Sequence, residues 1–164
     1  MTLTSTINWK PAASLAALRL RAQVNAAIRA HFARTGALEV ETPILSASAN
    51  TEPNIQSFHT RFRGPVHGGA AERYLRTSPE FALKRLLAAG VGDCYELGRV
   101  FRDGEAGGRH NPEFTMLEWY RLGCDLGALM DEVVDLLQCL ACLVNQRLNV
   151  RRVSYDDLYR QHLG

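Results

Sequence analysis

Four side chains of a 164-residue chain have the right types and spacing to do chemistry together: Arg102, Phe114, Glu118 and Tyr120. They lie in two apolar-alternating stretches, about 94–102 and 113–121, joined by a glycine-bearing loop, the pattern of two strands in a hairpin. Side chains alternate faces along a strand. Glu96, Gly98, Val100 and Arg102 therefore share one face of the first strand, and Phe114, Met116, Glu118 and Tyr120 one face of the second. If the two faces coincide, one surface carries a guanidinium, an aromatic plate, a carboxylate and a phenol. A purely structural face would not carry Arg102, Glu96 and Glu118 in register, because unpaired buried charge is costly. Arg102 could grip an anion such as a phosphate, or simply pair with Asp103 or Glu105. Phe114 suits stacking on a base, or packing in a core. Glu118 and Tyr120 suit an ammonium.

The elements that must hold these residues follow from pattern. Ser14 is placed to cap a helix running to about Thr35, with Leu20, Val24, Ile28 and Phe32 recurring every fourth residue and Gly36 as its stop. Leu38 to Glu41 alternates as a strand and runs into Thr42-Pro43. Residues 46–57 read as an exposed loop, Phe58 to Arg63 and Tyr74 to Arg76 as strands, and residues 64–69 as the turn between them. In Thr77-Ser78-Pro79-Glu80 a hydroxyl cap, a proline at the first helical position and a first-turn acid predict a helix ending near Gly90. A long apolar helix is expected from about Leu126 to Leu148, and another begins near Ser154. Strands clustered between helices, without βαβ alternation, predict an α+β fold with a mostly antiparallel sheet flanked by helices. No glycine-rich phosphate loop is present, which disfavours Rossmann and Walker nucleotide enzymes.

Composition narrows the classes. Hydrophobic residues make up 46% and charged residues 22%, with a formal net charge of +2. That is a globular balance, and it does not announce a nucleic-acid binder. No apolar run reaches membrane-spanning length, and residues 1–9 lack a basic-then-apolar leader pattern, so a cytoplasmic protein is expected. Cys139 and Cys142 have metal-motif spacing, but no second pair completes a tetrahedral set, and burial in the apolar helix is expected instead. No metal site is assigned. His31, His59, His67 and His162 have no catalytic context.

The run from Arg34 to Leu45 (Arg-Thr-Gly-Ala-Leu-Glu-Val-Glu-Thr-Pro-Ile-Leu) resembles motif 1 of class II aminoacyl-tRNA synthetases, and Phe101 to Tyr120 resembles motif 2. Arg109-His110-Asn111-Pro112-Glu113-Phe114-Thr115-Met116 and Thr77-Ser78-Pro79-Glu80 are similar to the lysyl subgroup. The lead-in Trp9 to Ser14 and the ending Leu117-Glu118-Trp119-Tyr120-Arg121 resemble its short paralogues, which have no anticodon-binding barrel before motif 1. Those paralogues activate lysine, preferably (R)-β-lysine, with ATP and transfer it to a lysine of elongation factor P.

The resemblance implies a class II catalytic domain, of which residues 1–164 are the N-terminal part, carrying motifs 1 and 2 and nothing like motif 3. It implies Arg102 as the catalytic grip on the α-phosphate. Asp103, Gly104, Glu105, His110, Asn111 and Phe114 then join Arg102 around ATP, and Ser78, Pro79, Glu80, Glu118 and Tyr120 hold the amino acid. Motif 2 carries a Glu where this chain has Gly104, so either Glu105 replaces it after a loop shift or that purine contact is missing. The resemblance also implies Mg2+ held by acidic residues outside this stretch, a homodimer through motif 1, and weak or no tRNA binding. On this reading the chain is an incomplete, inactive portion of the ligase. The alternatives are a fragment of a tRNA-charging lysyl synthetase and a non-catalytic ligand-binding remnant.

Overall fold

The computed structural model describes residues 9–66 and 69–163; the expected leader-free start, most of it in residues 1–8, and His67 and Gly68 of the predicted turn lie outside them. The element order is α1 (Leu15–Thr35), β1 (Leu38–Glu39), β2 (Leu45–Ser46), β3 (His59–Arg61), β4 (Glu72–Leu75), α2 (Glu80–Ala88), β5 (Cys94–Phe101), β6 (Glu113–Tyr120), α3 (Leu126–Cys142) and α4 (Tyr155–Leu163). The chain divides into two compact units. Residues 32–124 form one, and residues up to 31 together with those from 125 onward form the other.

Helix ends follow local chemistry. The Ser14 hydroxyl accepts a hydrogen bond from the Ala17 amide at 3.1 Å, the cap read from the sequence. α1 and α2 stop in the same way. Gly36 and Gly90 adopt left-handed φ of 78° and 87°, and the amides of Ala37 and Val91 reach back to the carbonyls of Phe32 and Leu86. α3 ends six residues earlier than expected. Asn145 takes the left-handed position, φ 55°, and Gln146 and Asn145 donate to the carbonyls of Ala141 and Cys142. Asparagine tolerates this conformation through its short polar side chain, a weaker signal than glycine. Cys142 at that end is exposed and Cys139 half-buried, so the pair does not pack in a core as expected. At α2, Pro79 is not the first helical residue but the cap position, its carbonyl accepting from Leu83. Ser78 Oγ accepts from the Glu80 amide at 3.3 Å.

The 32–124 unit holds two three-stranded sheets, β1-β5-β6 and β2-β4-β3. The second is antiparallel throughout, and so is the β5–β6 pair. β1 instead runs parallel to β5, pairing Leu38 with Cys94 and Glu39 with Tyr95. Parallel strands need a long crossover, which residues 40–93 supply with the second sheet and α2. β2 takes Leu45 from the end of the motif 1 run and Ser46 from the start of the expected loop, and pairs with β4.

One face of β5–β6 packs on the end of α1: the Phe32 ring stacks 4.3 Å from Tyr95 and lies 5.5 Å from Trp119. Arg121 fastens the same corner, donating to the carbonyl and hydroxyl of Thr35, pairing with Asp93 and lying over Phe32.

The other face is built over an ion pair. Arg76 and Glu96 are both buried, 9% and 3% exposed, with Nη2 and Oε1 2.5 Å apart. Gly98 lies over this pair. A Cβ there would fall 2.5 Å from Arg76 Nη2 and 2.7 Å from Glu96 Oε1. We predict that Gly98→Ala destabilises the chain by about 1–3 kcal/mol, the cost of overpacking a site where the buried pair must shift. Gly107→Ala, where a Cβ meets nothing within 4 Å, should stay within about 1 kcal/mol. Urea denaturation of both variants checks this; equal midpoints would contradict it.

Candidate active site

The hairpin register settles the question of shared faces. Cys94 faces Tyr120, Glu96 faces Glu118, Gly98 faces Met116 and Val100 faces Phe114. Directly opposed residues of an antiparallel pair project to the same side. Arg102 follows β5 by one residue and keeps the pairing, its amide donating to the Pro112 carbonyl at 2.9 Å.

At one end of this face the Arg102 guanidinium lies 5.3 Å over the Phe114 ring, a cation–π distance. Its Nη1 is 3.5 Å from Glu105, and its Nε donates to the Thr77 carbonyl at 3.5 Å. The ion pair allowed by the sequence is thus formed with Glu105, not Asp103. Gly104 explains the shift. With φ 79° it makes a left-handed turn that a glutamate would enter only with strain, and the next residue, Glu105, folds back onto Arg102.

At the other end, the Tyr120 hydroxyl donates to Glu118 Oε1 at 2.8 Å. Burial raises the Glu118 carboxyl above the ordinary carboxylate range. The charges of Glu80 and Glu96 push the same way, while the Tyr120 bond and Lys84 oppose them. Tyr120 is also raised, by burial first and then by its bond to Glu118. Three carboxylates therefore influence one another, and two are balanced: Glu96 by Arg76, and Glu80 by Lys84 at 2.5 Å. Among the described residues Glu118 has no ion-pair partner.

Not every expected residue joins. Ser78 and Glu80 line a cavity of about 370 Å³ whose far wall is Ser46 to Asn50 with Ser57; Glu118 and Tyr120 do not line it. Asp103 is exposed and only its amide is engaged, donating to the Gln56 carbonyl at 2.9 Å. His110 and Asn111 are exposed on the hairpin loop. Gly107 and His110 exchange backbone hydrogen bonds of 3.0 and 3.3 Å, so Gly108 and Arg109 form the tip. Glu113 pairs with Arg99 at 3.6 Å. Sequence reasoning missed Arg76 and Thr42. The available signal was Glu96 itself: a carboxylate on a buried face demands a cation.

The family model described as tRNA synthetases class II (D, K and N) matches residues 5–162. The chain belongs to this family. It is also 48% identical over 156 residues to the elongation factor P–(R)-β-lysine ligase of Pseudoalteromonas translucida, covering 95% of this chain and 47% of that protein. It is 49% identical over 162 residues to the ligase of the same name from Yersinia enterocolitica (98% and 48%), and 48% identical over 162 residues to that of Erwinia tasmaniensis (98% and 48%). The chain spans about half the length of these curated relatives. As a class II synthetase segment, it has its motif 2 resemblance in the β5–β6 hairpin and its motif 1 resemblance in the end of α1 and β1.

Glu118 yields a prediction with a definite sign. Its folded pKa is raised, so the unfolded chain ionises more readily. Stability is unaffected below the ordinary carboxylate pKa and falls as pH rises through the raised value. Glu118→Gln, which keeps an acceptor for Tyr120, should therefore be more stable than the parent at pH 7 and equal to it near pH 3. Thermal midpoints across that range test this; a variant less stable at pH 7 would contradict it.

Proposed function

We propose that this chain supplies the amino-acid and α-phosphate side of a ligase that activates lysine or (R)-β-lysine with ATP and passes it to a lysine of elongation factor P. The observation that carries the reading is Glu118: a half-buried carboxylate, hydrogen-bonded to a phenol, without a counter-cation among the described residues, on the same hairpin face as Arg102. An ammonium completes its charge balance and gains a charge-assisted hydrogen bond. The names of the relatives support the choice of substrate and acceptor.

The chemistry needs no side-chain nucleophile. The carboxylate of lysine attacks the α-phosphorus, the bond to pyrophosphate breaks, and an acyl adenylate forms. The acceptor amine then attacks the acyl carbon and AMP leaves. Arg102 holds the charge that grows at phosphorus, and Glu118 with Tyr120 fixes the far end of the substrate, so the reacting atoms meet in one geometry. Phe114 takes adenine on the ring that Arg102 now covers, the guanidinium moving to phosphate. Glu105 stands in for the motif 2 glutamate. Ser78, Pro79 and Glu80 border the substrate amine, and His110 and Asn111 close on the polyphosphate as the loop folds inward. No group of three His, Cys, Asp or Glu side chains among the described residues could hold a metal ion, so no step is assigned to Mg2+ here. Exposed Leu38, Ile44 and Leu45 on the motif 1 segment support a homodimer through it. No described helix is long and apolar enough to cross a membrane, and a cytoplasmic setting fits the acceptor.

The test offers labelled (R)-β-lysine and ATP, with elongation factor P and tRNA as competing acceptors, to a protein carrying this segment at the full length of its relatives. Label should accumulate on elongation factor P. Label on tRNA alone would restore a tRNA-charging reading. The 164 residues by themselves, lacking a motif 3 arginine, should leave lysine-dependent ATP–pyrophosphate exchange at background.

A further inference from the structure

The Arg76 side chain makes four hydrogen bonds, and the residue also lines the cavity bordered by Ser78 and Glu80. Its Nε donates to the Arg99 carbonyl at 3.0 Å and its Nη1 to the carbonyl and hydroxyl of Thr42 at 3.1 and 2.7 Å. Nη2 meets Glu96 Oε1, and the Thr42 hydroxyl donates to the other oxygen, Glu96 Oε2, at 2.6 Å. Glu96 is therefore held from both sides, in a fixed orientation, directly opposite Glu118 in the strand register. Like charges placed opposite each other across a strand pair repel. Their coexistence depends on what neutralises one of them.

We propose that Arg76, with Thr42 orienting its partner, is a positioning residue: by neutralising Glu96 it leaves Glu118 as the charged carboxylate of the pair, available to a substrate ammonium. Arg76 acts on Glu118 through Glu96, with which it pairs. The proposal rests on the lysine reading above and supplies what that reading needs, a reason why Glu118 can stay ionised on a face that also carries Glu96 and Glu80. The groups facing Glu118 are Tyr120 on its own strand, Glu96 on β5, and Glu80 and Lys84 on α2. Of these strand and helix neighbours, Glu96 is the one whose charge is set by a buried cation.

The arrangement predicts effects of opposite sign. Arg76→Gln leaves Glu96 uncompensated, and the titration midpoint of Glu118 should rise by about one pH unit or more, the size of a close like-charge effect. Glu96→Gln leaves Arg76 uncompensated, and the midpoint should fall. In the double variant Arg76→Gln/Glu96→Gln both charges are gone, and the midpoint should return to the parent value. A residue that only holds the fold together gives neither the opposite signs nor the cancellation.

The experiment follows the side-chain carboxyl 13C signal of Glu118 against pH, in the parent and the three variants, with and without lysine. Should Arg76→Gln not fold, Glu96→Gln and the double variant, which lacks an unpaired carboxylate, decide the matter. A Glu118 midpoint indifferent to Glu96→Gln would overturn the proposal. Lysine separates this from the functional reading. Midpoints that move as stated while lysine never perturbs Glu118 would sustain the Arg76 role and sink the lysine site. Lysine perturbing Glu118 with unmoved midpoints would do the reverse.

Discussion

The contact between Arg76 and Glu96 is the constraint around which the 32–124 unit is arranged. Two opposite charges buried together are costly to desolvate, and the cost is offset only when geometry is good and the remaining donors and acceptors are satisfied. Here they are. Arg76 spends its donors on Glu96, on Thr42 and on the Arg99 carbonyl, and its own carbonyl accepts from the Phe101 amide. Each partner belongs to a different stretch: Thr42 follows β1, Arg76 follows β4, and Glu96, Arg99 and Phe101 lie on β5. The pair thus joins the two sheets and leaves room at Gly98 for nothing larger than hydrogen.

From that joint the electrostatics of the site follow. A hairpin face with carboxylates opposed at Glu96 and Glu118 would be self-repelling. With Glu96 paired with Arg76 and Glu80 with Lys84, Glu118 is the carboxylate of the three that has no ion-pair partner among the described residues. Tyr120 orients it, and burial keeps its charge expensive enough for a cation to matter. At the far end of the same face, Arg102 offers the opposite charge beside Phe114. A face with a cation-seeking end and an anion-seeking end suits a substrate with an ammonium at one end and an anionic group at the other.

Much of this was legible in the sequence, and the parts that were not have physical reasons. The period-two pattern of 94–102 and 113–121 foretold both strands and which residues share a face on each, while the register that brings the two faces together came from the structure. Gly36 and Gly90 announced the ends of α1 and α2. Asn145 did not announce the end of α3, because asparagine is only sometimes left-handed and the apolar pattern ran on past it. The parallel pairing of β1 was hidden because strand direction depends on a crossover 54 residues long (residues 40–93) rather than on any local motif. Arg76 was hidden for a similar reason: its partner Glu96 is 20 residues away and Thr42 is 34 away. The loop residues His110 and Asn111 were legible as a motif, and the structure leaves both exposed.

The account stands on the ammonium-binding role of Glu118, and the most direct measurement compares the affinities of the chain for lysine and norleucine, which differ by that ammonium, by calorimetry. A charge-assisted hydrogen bond contributes roughly 1.5–3 kcal/mol, so lysine should bind about tenfold or more tightly than norleucine, and Glu118→Gln should remove the difference. Equal affinities in the parent chain, or a preference for lysine that survives Glu118→Gln, would contradict the account.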